Sequence, residues 1–116
     1  MSIKISEYLI GKDHNPFIMA EAGLNHNGDL DRAFEMIKIA KNSGATAIKF
    51  QTFSANEIVL DKNLVYTYQN HGSEITEPLY DILHRCEFSK SEWQNIKNRC
   101  EEHKILFLST VQNTSD

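Results

Sequence analysis

The sequence predicts an α/β chain organised around a parallel sheet, and three observations carry that prediction. Short apolar runs alternate with amphipathic stretches, the helical stretches bring their own cap signals, and the second strand separates an apolar face from a polar one. Strand, helix, strand, helix, strand with helical connections implies parallel pairing through crossovers. Three βα units leave two architectures open, a small doubly wound sheet or part of a barrel, because a closed (β/α)8 barrel takes about 250 residues.

The first apolar run, Phe17 to Glu21 (FIMAE), closes on a carboxylate and is followed by the turn string Asn25-His26-Asn27-Gly28. Asp29 is placed to cap a helix, with Asp31 in its first turn. Leu30, Ala33, Phe34, Ile37 and Ala40 recur with the helical period. Lys38 and Lys41 suit the negative end of that helix, and Gly44 suits its C′ position. The second strand, Ala45 to Gln51 (ATAIKFQ), puts Thr46, Ile48 and Phe50 on one face and Ala47, Lys49 and Gln51 on the other. In a barrel the apolar face meets the outer helices and the polar face points into the interior. Lys49 and Gln51 then lie at the strand's C-terminal end, where barrel enzymes keep their active sites.

Thr52 to Ile75 has weak periodicity and reads as a long loop, of the kind that is usually functional or disordered. Thr76 to Arg85 is expected as a short helix, with Pro78 tolerated in its first turn. Ser89 and Glu92 form an S-x-x-E capping box, flanked by Phe88 and Trp93 as a hydrophobic staple. That helix should run to about His103 and bury Trp93, Ile96 and Cys100. Ile105 to Thr110 (ILFLST) is the third strand.

Composition narrows the function classes. A chain that is 41% hydrophobic and 24% charged has a globular balance. Its formal net charge of −4 comes from interspersed signs, without the basic patch of a nucleic-acid binder. No stretch approaches the roughly 20 apolar residues of a membrane span, and MSIKISEYLIGKD lacks the apolar run of a signal peptide. A cytoplasmic protein with neither nucleic-acid nor membrane partners is expected. Cys86 and Cys100 lack disulfide-framework or metal-ligand spacing and fall at apolar helical positions, as inert core thiols do. His14, His26, His71, His84 and His103 are not paired at ligand spacing, so no metal site is expected in this chain.

Three strings taken together, AEAGLNHNGD (Ala20 to Asp29), GATAIKFQTF (Gly44 to Phe53) and FLSTVQNTSD (Phe107 to Asp116), resemble the N-terminal part of the sialic acid synthase family. That family includes legionaminic and pseudaminic acid synthases and spore-coat polysaccharide homologues. The resemblance runs from about Phe17 to the last residue. It implies the N-terminal three βα units of a (β/α)8 TIM barrel, incomplete here, with residues 1–116 a partial synthase domain. The remaining strands and a C-terminal antifreeze-like domain lie outside the chain. The implied reaction joins phosphoenolpyruvate to an open-chain N-acetylated aminohexose and releases phosphate. It uses a divalent metal, manganese or magnesium, held by histidines of later strands, and the full-length family is a homodimer. On the positions that match, the resemblance makes Lys49 and Thr110 phosphoenolpyruvate contacts, and Glu21 and Gln51 polar residues lining the same pocket. Val111 departs from the family's proline after the strand-end Ser-Thr, and no residue of Thr52 to Ile75 aligns with the family's sugar-binding asparagine.

Each candidate also has a plainer reading. Lys49 is a catalytic and phosphoenolpyruvate-binding candidate, or else a snorkelling lysine; a buried lysine is rare unless paired. Glu21 is a catalytic candidate, or else the partner that holds Lys49. Gln51 and Thr110 either bind substrate or satisfy rim backbone groups. Asn25 and Gly28 first make a turn, since both tolerate positive φ, with a substrate contact open for Asn25. His26 without a second ligand at metal spacing reads as structural. Two rival functions stand beside the synthase: a truncated product with no catalysis of its own, and a barrel that makes octulosonate or heptulosonate phosphates. The Asn-His-Asn-Gly string argues against the latter. The amino-sugar acceptor is left open between N-acetylmannosamine and 2,4-diacetamido sugars.

Overall fold

The computed structural model describes residues 1–114. The chain begins with an antiparallel hairpin of β1 (Ser2–Ile5) and β2 (Tyr8–Gly11). The central layer is a parallel sheet in which β3 (Met19–Gly23) pairs with β4 (Ala47–Thr52), and β4 pairs with β7 (Leu106–Val111). Between β3 and β4 runs α1 (Leu30–Asn42). Between β4 and β7 come α2 (Ala55–Ile58), a second hairpin of β5 (Val65–Asn70) and β6 (Ser73–Pro78), then α3 (Leu79–His84) and α4 (Lys90–Glu102). The α/β class and the three parallel strands therefore stand as expected. The final two residues of the third matching string, Ser115 and Asp116, lie outside the described residues.

The helix signals work as their chemistry dictates. Asp29 Oδ1 accepts the Arg32 N–H at 3.1 Å, and Gly44 leaves α1 at a φ of +90°. Ser89 Oγ accepts the Glu92 N–H at 3.3 Å while Glu92 Oε2 accepts the Ser89 N–H at 2.7 Å, which closes the capping box. Phe88 and Trp93 meet edge to face, 5.2 Å between centroids. Ala33, Ile37 and Ala40 of α1 and Ile96 and Cys100 of α4 are buried against Ile48 and Phe50 of β4, with Trp93 and Phe107 packed at the margin. The face of β4 expected to meet helices does so. Burying a side chain of Phe or Ile size stabilises by about 1.5–3 kcal/mol, so this single layer of contacts fixes which way β4 faces. Burial pushes the Cys100 thiol up to about 12 and raises that of Cys86, as befits inert core cysteines.

Three expectations are corrected. The first strand begins two residues later than Phe17 and ends at Gly23; Phe17 instead packs edge to face on Tyr8, 5.9 Å between centroids. The stretch from Thr52 to Ile75 is no loop, because it holds α2 and most of the β5–β6 hairpin, whose turn His71-Gly72 has positive φ at both residues. The short helix starts at Leu79 rather than Thr76. Thr76 is β-branched and sits opposite Thr67 with their hydroxyls 2.7 Å apart, while Pro78, with φ fixed near −58° and no N–H to give, ends the strand and precedes the helix.

Candidate active site at the strand ends

The open face of the sheet collects the polar residues. Register places Glu21, Lys49 and Leu108 side by side across the three strands, with Gln51 beside Thr110 two residues further on. Lys49 Nζ lies 2.7 Å from Glu21 Oε2 and donates to Thr110 Oγ1 at 3.0 Å. One ammonium thus joins all three strands near their C-terminal ends. The Lys49 side chain keeps 25% of its exposure and Glu21 keeps 50%, so the ammonium is paired yet still open on one side. An ammonium held by a carboxylate and a hydroxyl, and still partly exposed, has the chemistry to meet an anionic ligand.

The sheet edge beside Glu21 is built by the turn after β3. The Asn25 side chain and its backbone N–H both donate to the Ala22 carbonyl, each at 3.0 Å, so Asn25 is pinned next to the strand end. A β-bulge between Glu21 and Gly23 shifts the register there, and Gly23 takes a φ of +53°. Sequence reasoning misses Gly23, since a lone glycine before a turn gives little signal. Gly28 has a separate reason: a Cβ there would overlap the Arg85 carbonyl oxygen at 1.8 Å, so the turn lies directly on the Arg85–Cys86 backbone.

His26 belongs to the core rather than to a ligand set. It is fully buried, stacks on Phe88 at 4.4 Å, and its Nδ1 accepts the Gly28 N–H at 3.0 Å. Burial holds its pKa below the ordinary histidine value. Among the described residues, no group of three His, Cys, Asp or Glu side chains is placed to hold a metal ion. These residues do not fit a metal ion. A second polar cluster, invisible in the sequence, anchors the hairpin: Arg85 pairs with both carboxylate oxygens of Glu77 at 2.7 Å, and the Tyr68 hydroxyl donates to the same carboxylate. The Arg85 guanidinium, then Tyr68, hold the Glu77 carboxyl down to about 2. No helix of the described residues is long and apolar enough to cross a membrane.

Lys49, Glu21, Thr110 and Gln51 are therefore brought together, with Asn25 at the rim. Known proteins resemble this chain over most of its length. The model of the NeuB family matches residues 36–116. N,N'-diacetyllegionaminic acid synthase of Legionella pneumophila is 38% identical over 100 residues, 86% of this chain and 28% of that protein. The spore coat polysaccharide biosynthesis protein SpsE of Bacillus subtilis is 37% identical over 112 residues, 95% of this chain and 29% of its own. The crystal structure of N-acetylneuraminic acid (sialic acid) synthetase from Leptospira borgpetersenii, in complex with citrate, matches with a TM-score of 0.80 at 32% identity, over 99% of this chain and 35% of that one. The chain spans 28% and 29% of the length of these two sequence relatives.

Proposed function

This chain belongs to the NeuB family, and we propose that it supplies the first three βα units of a (β/α)8 barrel that condenses phosphoenolpyruvate with an N-acetylated amino-sugar aldehyde. The observation that carries this reading is the Lys49 ammonium held between Glu21 and Thr110 at the C-terminal ends of three parallel strands. Ligands of barrels bind at that end, and the relatives that match include sialic acid-type synthases.

Phosphoenolpyruvate carries a carboxylate and a phosphate. Lys49 gives it a fixed cation, and the Thr110 hydroxyl, already turned to the same point, adds a neutral hydrogen-bonding group. Glu21 holds Lys49 when no substrate is bound and orients the ammonium when one is. In the bond-forming step the enol carbon attacks the sugar aldehyde carbon, the aldehyde oxygen takes a proton, and positive charge develops at the carbon bearing the phosphate. Water adds there and loses one proton, and the resulting hydroxyl gives its second proton to the departing phosphate as the C–O bond breaks, leaving a ketone. Holding the two carbons together supplies much of the acceleration.

Lys49→Met in a complete synthase chain carrying this segment tests the proposal. Loss of a charge-assisted contact is worth about 1.5–3 kcal/mol, or about 10- to 150-fold in kcat/KM for phosphoenolpyruvate. The melting temperature should stay near that of the wild type, because the ammonium lies outside the helix-side core. A variant that keeps its rate at both low and saturating phosphoenolpyruvate removes Lys49 from the site.

A further inference from the structure

Residues 85–88 join α3 to α4 and touch both turns that follow the site's first two strands. The turn after β3 lies against the Arg85 carbonyl at Gly28, and its His26 ring stacks on Phe88 at 4.4 Å. The turn after β4 is held by Glu87, whose Oε1 accepts the Ala55 N–H at 2.6 Å from 32 positions away in the sequence. One short connection thus meets the chain where it leaves each of the two strands that carry Glu21, Lys49 and Gln51.

The bond from Glu87 has no local substitute. Pairing of β4 with its neighbour ends at Thr52, whose carbonyl accepts the Gln112 N–H at 3.1 Å. The chain then turns into α2 through Ser54, which takes the extended backbone of an N-cap yet makes no side-chain cap. Ala55 is fully buried, so its N–H is cut off from water, and a buried N–H left unpaired is costly. Glu87 keeps only 26% of its side-chain exposure, and His84 Nδ1 lies 3.4 Å from the same oxygen. A carboxylate drawn out of water to one backbone N–H makes a charge-assisted bond, stronger than a neutral cap would be. It acts at the first residue of α2, four positions beyond Gln51.

We propose that Glu87 is a positioning residue for the strand-end site: by accepting the Ala55 N–H it fixes the path of the chain as it leaves β4, and with it the aim of Gln51. This rests on the synthase reading above. Lys49 is held separately, by Glu21, by Thr110 and by sheet pairing on both sides of β4, so the anion contact does not depend on Glu87. Loss of the Glu87 bond therefore acts on turnover and spares phosphoenolpyruvate binding, because a small misplacement of groups around the reacting atoms costs rate where the ground-state anchor survives.

The test compares Glu87→Gln with Glu87→Asp in a complete synthase chain carrying this segment, with N-acetylmannosamine and a 2,4-diacetamido aldose as alternative acceptors. Glutamine keeps the reach and an oxygen acceptor but carries no charge; aspartate keeps the charge and falls one methylene short of Ala55. Glu87→Asp should lower kcat by about tenfold with KM for phosphoenolpyruvate held within about twofold, while Glu87→Gln stays within about threefold of the wild type in both. Wild-type kcat in Glu87→Asp overturns the positioning role, whatever happens to its melting temperature, and leaves Glu87 a part of the fold alone. An equal fall in both variants overturns it as well, since charge and not the bond to Ala55 would then be responsible. So does a phosphoenolpyruvate KM that rises as kcat falls, and so does failure of either variant to fold. A wild type inactive with every such acceptor overturns the synthase reading and the positioning role with it; an active wild type with an unaffected Glu87→Asp overturns the positioning role alone.

Discussion

At the scale of single residues, His26 shows how a group with chemical promise is committed to the fold. Its Nδ1 accepts the Gly28 N–H, so the ring proton is assigned to Nε2, which is buried without a hydrogen-bond partner among the described residues. Charging this ring would place a cation between Phe88 and Phe50. The unfolded chain takes up the proton near pH 6.5, while the folded chain resists it to lower pH. Stability from this residue is therefore full above pH 6.5 and is lost as pH falls through that value. His26→Asn keeps an acceptor at the δ position but cannot titrate. Melting curves at about pH 7.5 and about pH 5.5 should show a larger drop for the wild type than for this variant. Equal drops would mean that other groups govern the acid response. The site is legible in the sequence at this scale where alternation governs it: period two puts Lys49 and Gln51 on one face, and the apolar run before the turn string carries a carboxylate. Gly23 is not legible, because a bulge depends on the partner strand's register and a single sequence does not contain that.

At the scale of elements, signals confined to a few consecutive residues predict the structure, and those that need a partner do not. The capping box of α4 is complete within four residues and appears in the structure as the sequence predicts. It also reaches beyond its own helix, since Phe88 staples Trp93 on one side and stacks on His26 on the other. Ser89→Ala should cost about 1 kcal/mol, in line with caps elsewhere, read as a lower denaturant midpoint at unchanged slope. A shift near zero would mean that Glu92, still bonded to the Ser89 N–H, holds the helix start unaided. The two hairpins are hidden in the sequence for a shared reason. Their turns use Ser6 and the pair His71-Gly72 at positive φ, without the Asn-Gly or Asp-Gly pair that marks a tight hairpin. Thr76 and Pro78 suit a helix start because each tolerates a first helical turn, yet Thr67 across the hairpin claims Thr76 for the sheet.

At the scale of the whole molecule, the sheet has one side finished and the other unfinished. The helix side is closed by α1 and α4. Strand order β3-β4-β7 leaves the outer edges of β3 and β7 unpaired among the described residues. Beside β3 the apolar surface stays open: Ile18, Met19 and Ile39 are 55%, 45% and 56% exposed, and an apolar cleft of about 370 Å³ runs between that strand and α1, lined in part by Ile18, Met36 and Ile39. Unpaired strand edges template association with other chains, and a small domain has only about 5–15 kcal/mol of net stability with which to resist it. Residues 1–116 on their own are therefore expected to self-associate and to melt broadly. Size-exclusion chromatography across a concentration series, together with thermal denaturation, is the measurement. Elution that moves to larger size with concentration is the expected result, and β3 is the edge to probe: Met19→Lys should place a charge on its exposed surface and shift elution back toward the monomer. A monodisperse monomer at every concentration, with one sharp transition, would show that the open edges are stable as they stand. The three parallel strands would then form a domain of their own, and the barrel reading would lose its structural ground.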